Sequence, residues 1–271
     1  MRRNDLIKKR NLSIDWIKLV LPTGIVVLWQ LATSIFNLPE YIIPSPKHLI
    51  IVLVDFIWGI SGVTPYSGDF LTHSVASIGR VLGGFSIAFC FGLPLGLLTG
   101  RSSLLNRLID PLIHLIRTIP GIGWLPIAIV WFGVGGRTTI FLIALASFFP
   151  IYVNVSEGVR TIPTKTIRAA KILGARGFKF FSTVVLPASM SSLFSGVRLG
   201  LGISWAYVVL GELTGVTKGL GAIMMDARML GHVDMIMVSM FCIAFWGRVS
   251  DIILVLLMKR INPFIGGCHN E

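Results

Sequence analysis

Four charged residues stand inside long apolar stretches of the sequence, and their chemistry needs an explanation. Arg198 and Glu212 occur in one stretch, and Arg248 and Asp251 occur in another. Charged side chains are costly in a membrane, so they usually face a bundle interior, a partner charge or water. Arg248 and Asp251 are three residues apart, which places them on one helix face and predicts an ion pair. Arg198 and Glu212 are possible pathway residues, since an arginine can guide an anion; the alternative for Arg198 is pairing with a carboxylate.

Motifs that would support catalysis are missing from the sequence. It has no Gly-x-x-x-x-Gly-Lys-Ser/Thr run and no Gly-Lys dipeptide, so the usual cradle for ATP phosphates is absent. It has no His-Glu-x-x-His motif, its five histidines are scattered, and its three cysteines show no metal-ligand spacing. We therefore expect no catalytic residue, no bound metal and no cofactor, and a chain that is not itself an enzyme.

The composition predicts an all-α membrane protein. Hydrophobic residues make up 54% of the 271 residues and charged residues only 13%, whereas soluble domains carry about 25% charged residues. A membrane helix needs about 20 mostly apolar residues. Four stretches meet this need easily, residues 17–36, 81–99, 118–136 and 138–156, and two more, 190–213 and 235–258, are counted despite their internal charges, which gives six spans. No small-x-small cleavage site follows the first stretch, so we expect it to remain as the first helix.

The distribution of basic residues predicts the orientation of these spans. Of the 24 Lys and Arg residues, 17 fall in segments that six alternating spans place on one side of the membrane. Positive charge accumulates on the cytoplasmic side, so both termini are expected in the cytoplasm. The predicted organisation is an N-terminal arm (1–16), a membrane domain (17–258) with a cytoplasmic loop (157–187), and a cytoplasmic tail (259–271). Because the basic clusters alternate with apolar stretches, nucleic-acid binding is not expected.

Two features of the predicted spans leave alternatives open. Pro120, Gly121, Gly123 and Pro126 interrupt the third span, which indicates either a kinked packing helix or a bend that lines a pathway. Glycines also recur at helical contact spacing, which allows close helix packing either within one subunit or between two. These glycines are Gly92, Gly96 and Gly100, Gly196 and Gly200, and Gly211, Gly215 and Gly219.

The loop 157–187 is the most informative part of the sequence. Residues 166–173 read as a short amphipathic helix, with Ile167, Ala170 and Leu173 along one edge. Gly174 can adopt a positive φ and end that helix. A second helical run over 178–185 then leads to the next span.

The spacing of this loop resembles the signature loop of ABC-importer permeases. The family pattern is Glu-Ala-Ala, three residues, Gly, nine residues, an aliphatic residue, one residue, and Leu-Pro. It maps onto Arg168, Ala169, Ala170, Gly174, Val184, Leu186 and Pro187, with Arg168 in place of the leading Glu. Further segments resemble the nitrate/sulfonate/taurine branch, and the aliphatic-sulfonate permeases look closest. These segments are Pro44-Ser45-Pro46, Trp131-Phe132-Gly133, Pro150-Ile151-Tyr152 and Gly196-Val197-Arg198.

The resemblance implies the type I importer permease fold, in the bacterial cytoplasmic membrane. It also implies that the loop is a coupling helix contacting a separate ATPase, through Thr166, Arg168, Ala169, Ala170, Gly174, Leu186 and Pro187. The implied partners are a second permease copy, two ATP-binding subunits, an extracytoplasmic substrate-binding protein and membrane lipid. Sulfonate is the expected substrate, with nitrate, taurine, bicarbonate or a pyrimidine-type precursor left open. The competing class is a stand-alone secondary transporter.

Overall fold

The structure, a computed structural model, describes residues 15–36, 39–60, 62 and 64–261. Most of the predicted N-terminal arm and tail therefore lies outside the described residues. Both predicted boundaries nevertheless fall inside helices, because the first helix begins at Asp15 and the last ends at Ile261. In the described residues all regular structure is helical. The α-helices are α1 (Asp15–Ile35), α2 (Pro46–Trp58), α3 (Phe70–Arg101), α4 (Ser103–Thr118), α5 (Leu125–Phe132), α6 (Gly136–Arg160), α7 (Thr164–Ile172), α8 (Gly177–Phe180), α9 (Leu186–Glu212), α10 (Leu220–Leu230) and α11 (Val233–Ile261).

The chain divides into two compact units, of which the first comprises Met1–Leu71 and Asp226–Val238. Within it, α2 follows the first apolar helix. The Ser45 hydroxyl caps α2 by accepting from the His48 backbone N–H (3.3 Å), and Pro46 occupies the first helical position. The Asp55 carboxylate then holds the following turn, accepting from the Gly62 N–H (2.8 Å) and the Ser67 hydroxyl (2.9 Å).

The second unit, Thr72–Met225 and Ser239–Glu271, is built around α6. Two helices pack against α6 through glycines, so that backbone meets backbone. A Cβ added to Gly96 on α3 would lie 2.9 Å from the Tyr152 carbonyl oxygen, and one on Gly196 of α9 would lie 2.9 Å from the Pro150 carbonyl oxygen. The predicted glycine spacing on α3 and α9 thus serves packing within one chain.

Four helical segments of the described residues are long and apolar enough to cross a membrane: Phe70–Arg101, Gly136–Arg160, Phe181–Glu212 and Val233–Arg260. A fifth crossing is possible if α4 and the helical residues 121–132 form one broken span, and Val20–Ile35 is a shorter apolar helix. The described part of the chain therefore contains four such helices, or five with the bent pair. The predicted count of six spans and the placement of both termini remain predictions.

The predicted third span, 118–136, is not one continuous helix. Helix α4 ends at Thr118, Ile119 adopts an extended conformation, and a 3₁₀ turn (Gly121–Trp124) leads into α5, with a bend of 91°. The cause is Pro120, which disfavours helical geometry at the residue before it and cannot donate a backbone hydrogen bond. The interruption that the proline and glycine pattern predicted is thus present, and it is a sharp bend.

Candidate functional site

Helix α7 ends in a hydrogen-bonded cap that depends on glycine. Gly174 has φ = +82°, and its N–H donates to the Lys171 carbonyl at 3.1 Å. The Ala175 N–H donates to the Ala170 carbonyl at 3.0 Å. This pair of bonds is the Schellman arrangement, in which the residue after the cap adopts the left-handed conformation. The predicted role of Gly174 as a helix stop is therefore confirmed.

The inner edge of α7 is anchored in its own chain. Ala170 is buried and Ile167 packs beside it, as the amphipathic pattern predicted. The apolar cluster around Ala170 contains Val159, Ile162, Phe180 and Val185. Because Ala170 faces this cluster, its small side chain allows α7 to lie close to the membrane helices of the same chain.

The outer edge of α7 is exposed. Thr166, Arg168 and Ala169 all face outward. At the tip, Ile172 is 85% exposed and Leu173 is 87% exposed. The expectation that Leu173 joins the inner apolar edge is wrong, because Leu173 is the cap residue, where the chain has already left the helix.

The Leu186-Pro187 pair marks the start of α9. Between α8 and α9, residues Phe181–Val185 form a π-helical turn, and the Leu186 N–H donates to the Phe181 carbonyl five residues earlier. Leu186 is half-buried against the core of the second unit, whereas Pro187 is exposed in the first turn of α9. These two residues therefore fix where α9 begins, and neither lies on α7.

A basic cavity of about 640 Å³ lies beside α7. Its charged lining residues are Arg101, Arg107, Arg160 and Lys171. The Arg101 guanidinium stacks over the Phe180 ring, 5.1 Å from its centroid, and Arg160 donates to the Asn106 side chain at 3.3 Å. Helices α3, α4, α6 and α8 thus contribute, with α7, to the walls of this cavity.

A second cavity, of about 510 Å³, lies at the bend between α4 and α5. Its walls come from the bend, from α6 and from α9. The lining residues are Arg117, Ile119, Pro120, Gly121, Trp124, Leu145, Ala146, Phe149, Pro150, Val153, Asn154, Ile203, Ala206 and Tyr207. Gly121 is required here, because a Cβ would lie 2.0 Å from the Tyr207 hydroxyl oxygen. This close approach fixes the bend against α9.

Arg198 forms a bidentate ion pair on the face shared by α9 and α11. Its Nε and Nη2 donate to the two carboxylate oxygens of Asp251, at 2.6 and 2.9 Å. The predicted Arg248–Asp251 pair is also present, at 3.1 Å. Asp251 thus binds two arginines, in the geometry that makes arginine–carboxylate pairs strong. Of the two roles predicted for Arg198, lining a pathway or pairing with a carboxylate, the structure thus shows the carboxylate pair.

Glu212 is fully buried at the other end of α9. It accepts hydrogen bonds from the Ser77 hydroxyl (2.8 Å) and the Gly221 N–H (2.9 Å), and it forms an ion pair with Arg80. Gly219 approaches so closely that an added Cβ would lie 2.4 Å from the carboxylate. Glu212 therefore joins α3, α9 and the start of α10.

The structure brings together only part of the predicted site. Arg198 and Glu212 are 14 residues apart on one helix, or about 21 Å along its axis. The cavity at the bend agrees with one of the two alternatives that the proline and glycine pattern left open, a bend that lines a pathway. Sequence reasoning missed the exposed tip of α7 and the position of Arg117 in this cavity. Arg117 precedes the Ile119-Pro120 break by two residues, and this position could have indicated that it lines a cavity there.

The fold resembles that of a known importer. A chain of the inward-facing MetNI methionine ABC transporter superposes with a TM-score of 0.58 and 21% identity, covering 70% of this chain and 93% of that one. This likeness shows the type I ABC importer permease fold.

Sequence comparison gives the family. Residues 92–267 match the model for the binding-protein-dependent transport system inner membrane component, and the chain belongs to this family. A protein named as an ABC transporter permease of Methanocaldococcus jannaschii is 39% identical, over 87% of this chain and 86% of its own. The protein named as the aliphatic sulfonates transport permease of Escherichia coli is 36% identical over 90% of each chain. The taurine transport permease of Escherichia coli is 31% identical, over 89% of this chain and 86% of its own.

These relatives confirm the nitrate/sulfonate/taurine branch that the sequence motifs indicated. The protein is a multi-pass inner-membrane permease subunit of an ABC importer, in a family that works with an ATPase and a substrate-binding protein.

Proposed function

We propose that this chain forms the pathway of an importer for small organic anions, with aliphatic sulfonate as substrate. In this proposal two permease copies assemble with two ATP-binding subunits and receive substrate from the binding protein. Six membrane crossings place both termini and α7 in the cytoplasm. The relatives named for sulfonate and taurine support the substrate class.

The observation that carries the coupling role is the exposed tip of α7. Ile172 and Leu173 are large apolar side chains that are more than four-fifths exposed. Burying such a side chain is worth about 1.5–3 kcal/mol, so covering both would contribute about 3–6 kcal/mol to an interface. We assign this interface to the ATPase, with Thr166, Arg168, Ala169 and the cap at Gly174 around the tip.

Ala170, Leu186 and Pro187 support this interface from behind. Ala170 holds α7 against its own chain, while Leu186 and Pro187 set the start of α9. Closure of the ATPases on ATP would push the tip, and the anchored helix would pass that motion to α6 and α9. A rigid-body movement of this kind can change an inward-open pathway into an outward-open one.

The contacts of Arg198 and Glu212 favour roles in holding helices together rather than in the pathway. Arg198 is paired with Asp251, and Glu212 is buried with Arg80. Replacing Arg198 by Gln tests this directly. Unchanged sulfonate uptake is expected, and a lower affinity for the anion would restore the pathway role.

Co-expression with the ATPase tests the coupling proposal. Gly174→Asp is expected to abolish transport-coupled ATP hydrolysis while the permease still folds. Gly174→Asn is the matched control, since asparagine tolerates positive φ and adds the same bulk without charge. Ile172→Ser with Leu173→Ser is expected to weaken co-purification with the ATPase.

Three results would contradict the proposal. The first is normal coupling in Gly174→Asp, and the second is normal co-purification after both tip residues become serine. The third is solute uptake by the chain alone in vesicles without ATPase, which would identify a stand-alone secondary transporter.

A further inference from the structure

The cavity at the helix bend carries hydrogen-bond donors and one uncompensated charge. Arg117 is the single charged residue in its lining. None of the described carboxylates forms an ion pair with Arg117, in contrast to Arg80, Arg160 and Arg198, each of which has an acidic partner. A cation beside an apolar wall attracts anions more strongly than one in open water, because the effective dielectric constant is lower.

Trp124 adds a donor without an acceptor. Its indole nitrogen is enclosed, yet it has no hydrogen-bond partner among the described residues. An enclosed donor without a partner is unfavourable, and an indole nitrogen can only donate. The indole N–H of Trp124 is therefore available to an acceptor, such as an oxyanion.

Two further polar side chains line the same cavity. Asn154 uses one amide hydrogen to donate to the Pro150 carbonyl at 2.8 Å, which leaves its second amide hydrogen for a ligand. The Tyr207 hydroxyl lies over Gly121 and can also donate. The polar lining thus consists of groups able to donate, and no carboxylate contributes to it.

The rest of the wall is apolar. Leu145, Ala146, Phe149 and Ile203 belong to this part. The volume of about 510 Å³ is in the range of small-molecule sites, which combine apolar walls with a few polar groups. A ligand with an oxyanion head and an alkyl tail would use both kinds of wall.

We propose that this cavity is a membrane-embedded binding site for alkanesulfonates, in which Arg117 and Trp124 contact the sulfonate and the apolar wall contacts the alkyl chain. The proposal rests on the importer function and assigns a site in this chain to the proposed substrate. Nitrate and bicarbonate lack the alkyl chain. The ammonium group of taurine would meet a cationic site with no lining carboxylate. The site should therefore select alkanesulfonates over all three.

A cysteine-labelling experiment tests the site without requiring transport. The three native cysteines are replaced by alanine, and Ala206→Cys, in the cavity lining, reports access. Its rates with anionic and cationic methanethiosulfonate reagents are compared in the purified full-length chain. Arg117→Gln should lower the anionic-to-cationic rate ratio about tenfold, whereas Arg117→Lys should keep it. Arg137→Gln, on the exposed start of α6, should leave it unchanged.

Ligand protection tests the selectivity. Butanesulfonate should protect the cysteine at a concentration about 10- to 100-fold lower than taurine or nitrate requires, because burial of its alkyl chain against the apolar wall adds to the contact of the sulfonate. Arg117→Gln should raise the concentration of butanesulfonate needed for protection about tenfold or more, and Trp124→Phe should raise it by a smaller factor. Equal protection by all three anions, or a rate ratio insensitive to Arg117→Gln, would overturn the site.

Uptake by the complete transporter separates this proposal from the importer function. If the complete transporter takes up substrate with ATP, but Arg117→Gln changes neither the labelling-rate ratio nor the ligand protection, the site is overturned and the importer function stands. Selective protection in a chain that binds no ATPase supports the site and overturns the importer.

Discussion

Removing the carboxylate of Glu212 deprives three groups of their shared acceptor. Ser77, Arg80 and the Gly221 N–H all donate to it in the interior of the second unit. Glu212→Met leaves the Arg80 guanidinium, whose side chain is only 14% exposed, without its partner. Arg80→Met leaves the Glu212 carboxylate buried with hydrogen bonds but no counter-charge.

The size of the effect follows from the burial of the pair. Breaking a buried ion pair by removing one partner destabilises a protein by about 3–5 kcal/mol, and we expect each single methionine variant to lie in this range. Replacing both partners by apolar groups removes the unpaired charge. The double variant should therefore lose only about 2–6 kcal/mol, about 1–3 kcal/mol for each of the Ser77 and Gly221 donors left without an acceptor, which is less than the sum of the two single losses.

The free energy of unfolding in mixed micelles of increasing SDS content measures these changes for all three variants. Arg160→Gln is the control, because Arg160 is 47% exposed and its contact with Asp110 is 4.0 Å long; it should change stability by no more than about 1 kcal/mol. If the double variant loses as much free energy of unfolding as the two single variants together, Glu212 and Arg80 are not energetically coupled. An Arg80→Met variant as stable as the native chain would refute the coupling as well.

Three further predictions follow from the packing and from the proposed orientation. Gly96→Ala should lower the free energy of unfolding by about 1–3 kcal/mol, because the α6 backbone lies 2.9 Å from the new Cβ. Its control, Gly79→Ala, lies on the same helix with open space around it and should be neutral or stabilising by up to about 1 kcal/mol. Unfolding titrations measure both changes. Leu173→Cys should react with an impermeant maleimide only in inside-out vesicles, and labelling of right-side-out vesicles would contradict the proposed orientation. Gly121→Ala should lose expression and transport, and adding Tyr207→Ala should restore folding; no loss in Gly121→Ala would contradict the close approach at the bend.

Local features were predictable from the sequence where one residue type has one physical consequence. Gly174 ends α7 because only a residue tolerant of positive φ allows the cap, and its φ of +82° confirms this. Arg248 and Asp251 pair because helical spacing brings them together. The family was predictable from the spacing of the loop 157–187, and the family match confirms it.

Features that depend on packing between distant segments were not predictable. Proline and glycine indicated an interruption after Thr118, but its angle depends on the fit of Gly121 against Tyr207, 86 positions later in the chain. The apolar pattern placed Leu173 inside, because periodicity cannot show where a helix has already ended. The cavity at the bend joins three separated segments, and its arginine looked in the sequence like one more cytoplasmic positive charge.

The π-helical turn before α9 affects which side chains of this loop can pack together. Phe180 and Val185 are both buried in the cluster around Ala170, although they are five residues apart. In a continuous α-helix they would point about 140° apart; the wider turn, with one more residue, brings them to one side. Deleting a single residue of this turn would restore ordinary winding and leave these two side chains four positions, or about 40°, apart, still on one side. The extra residue of the wider turn is thus what allows side chains five positions apart to pack in one cluster.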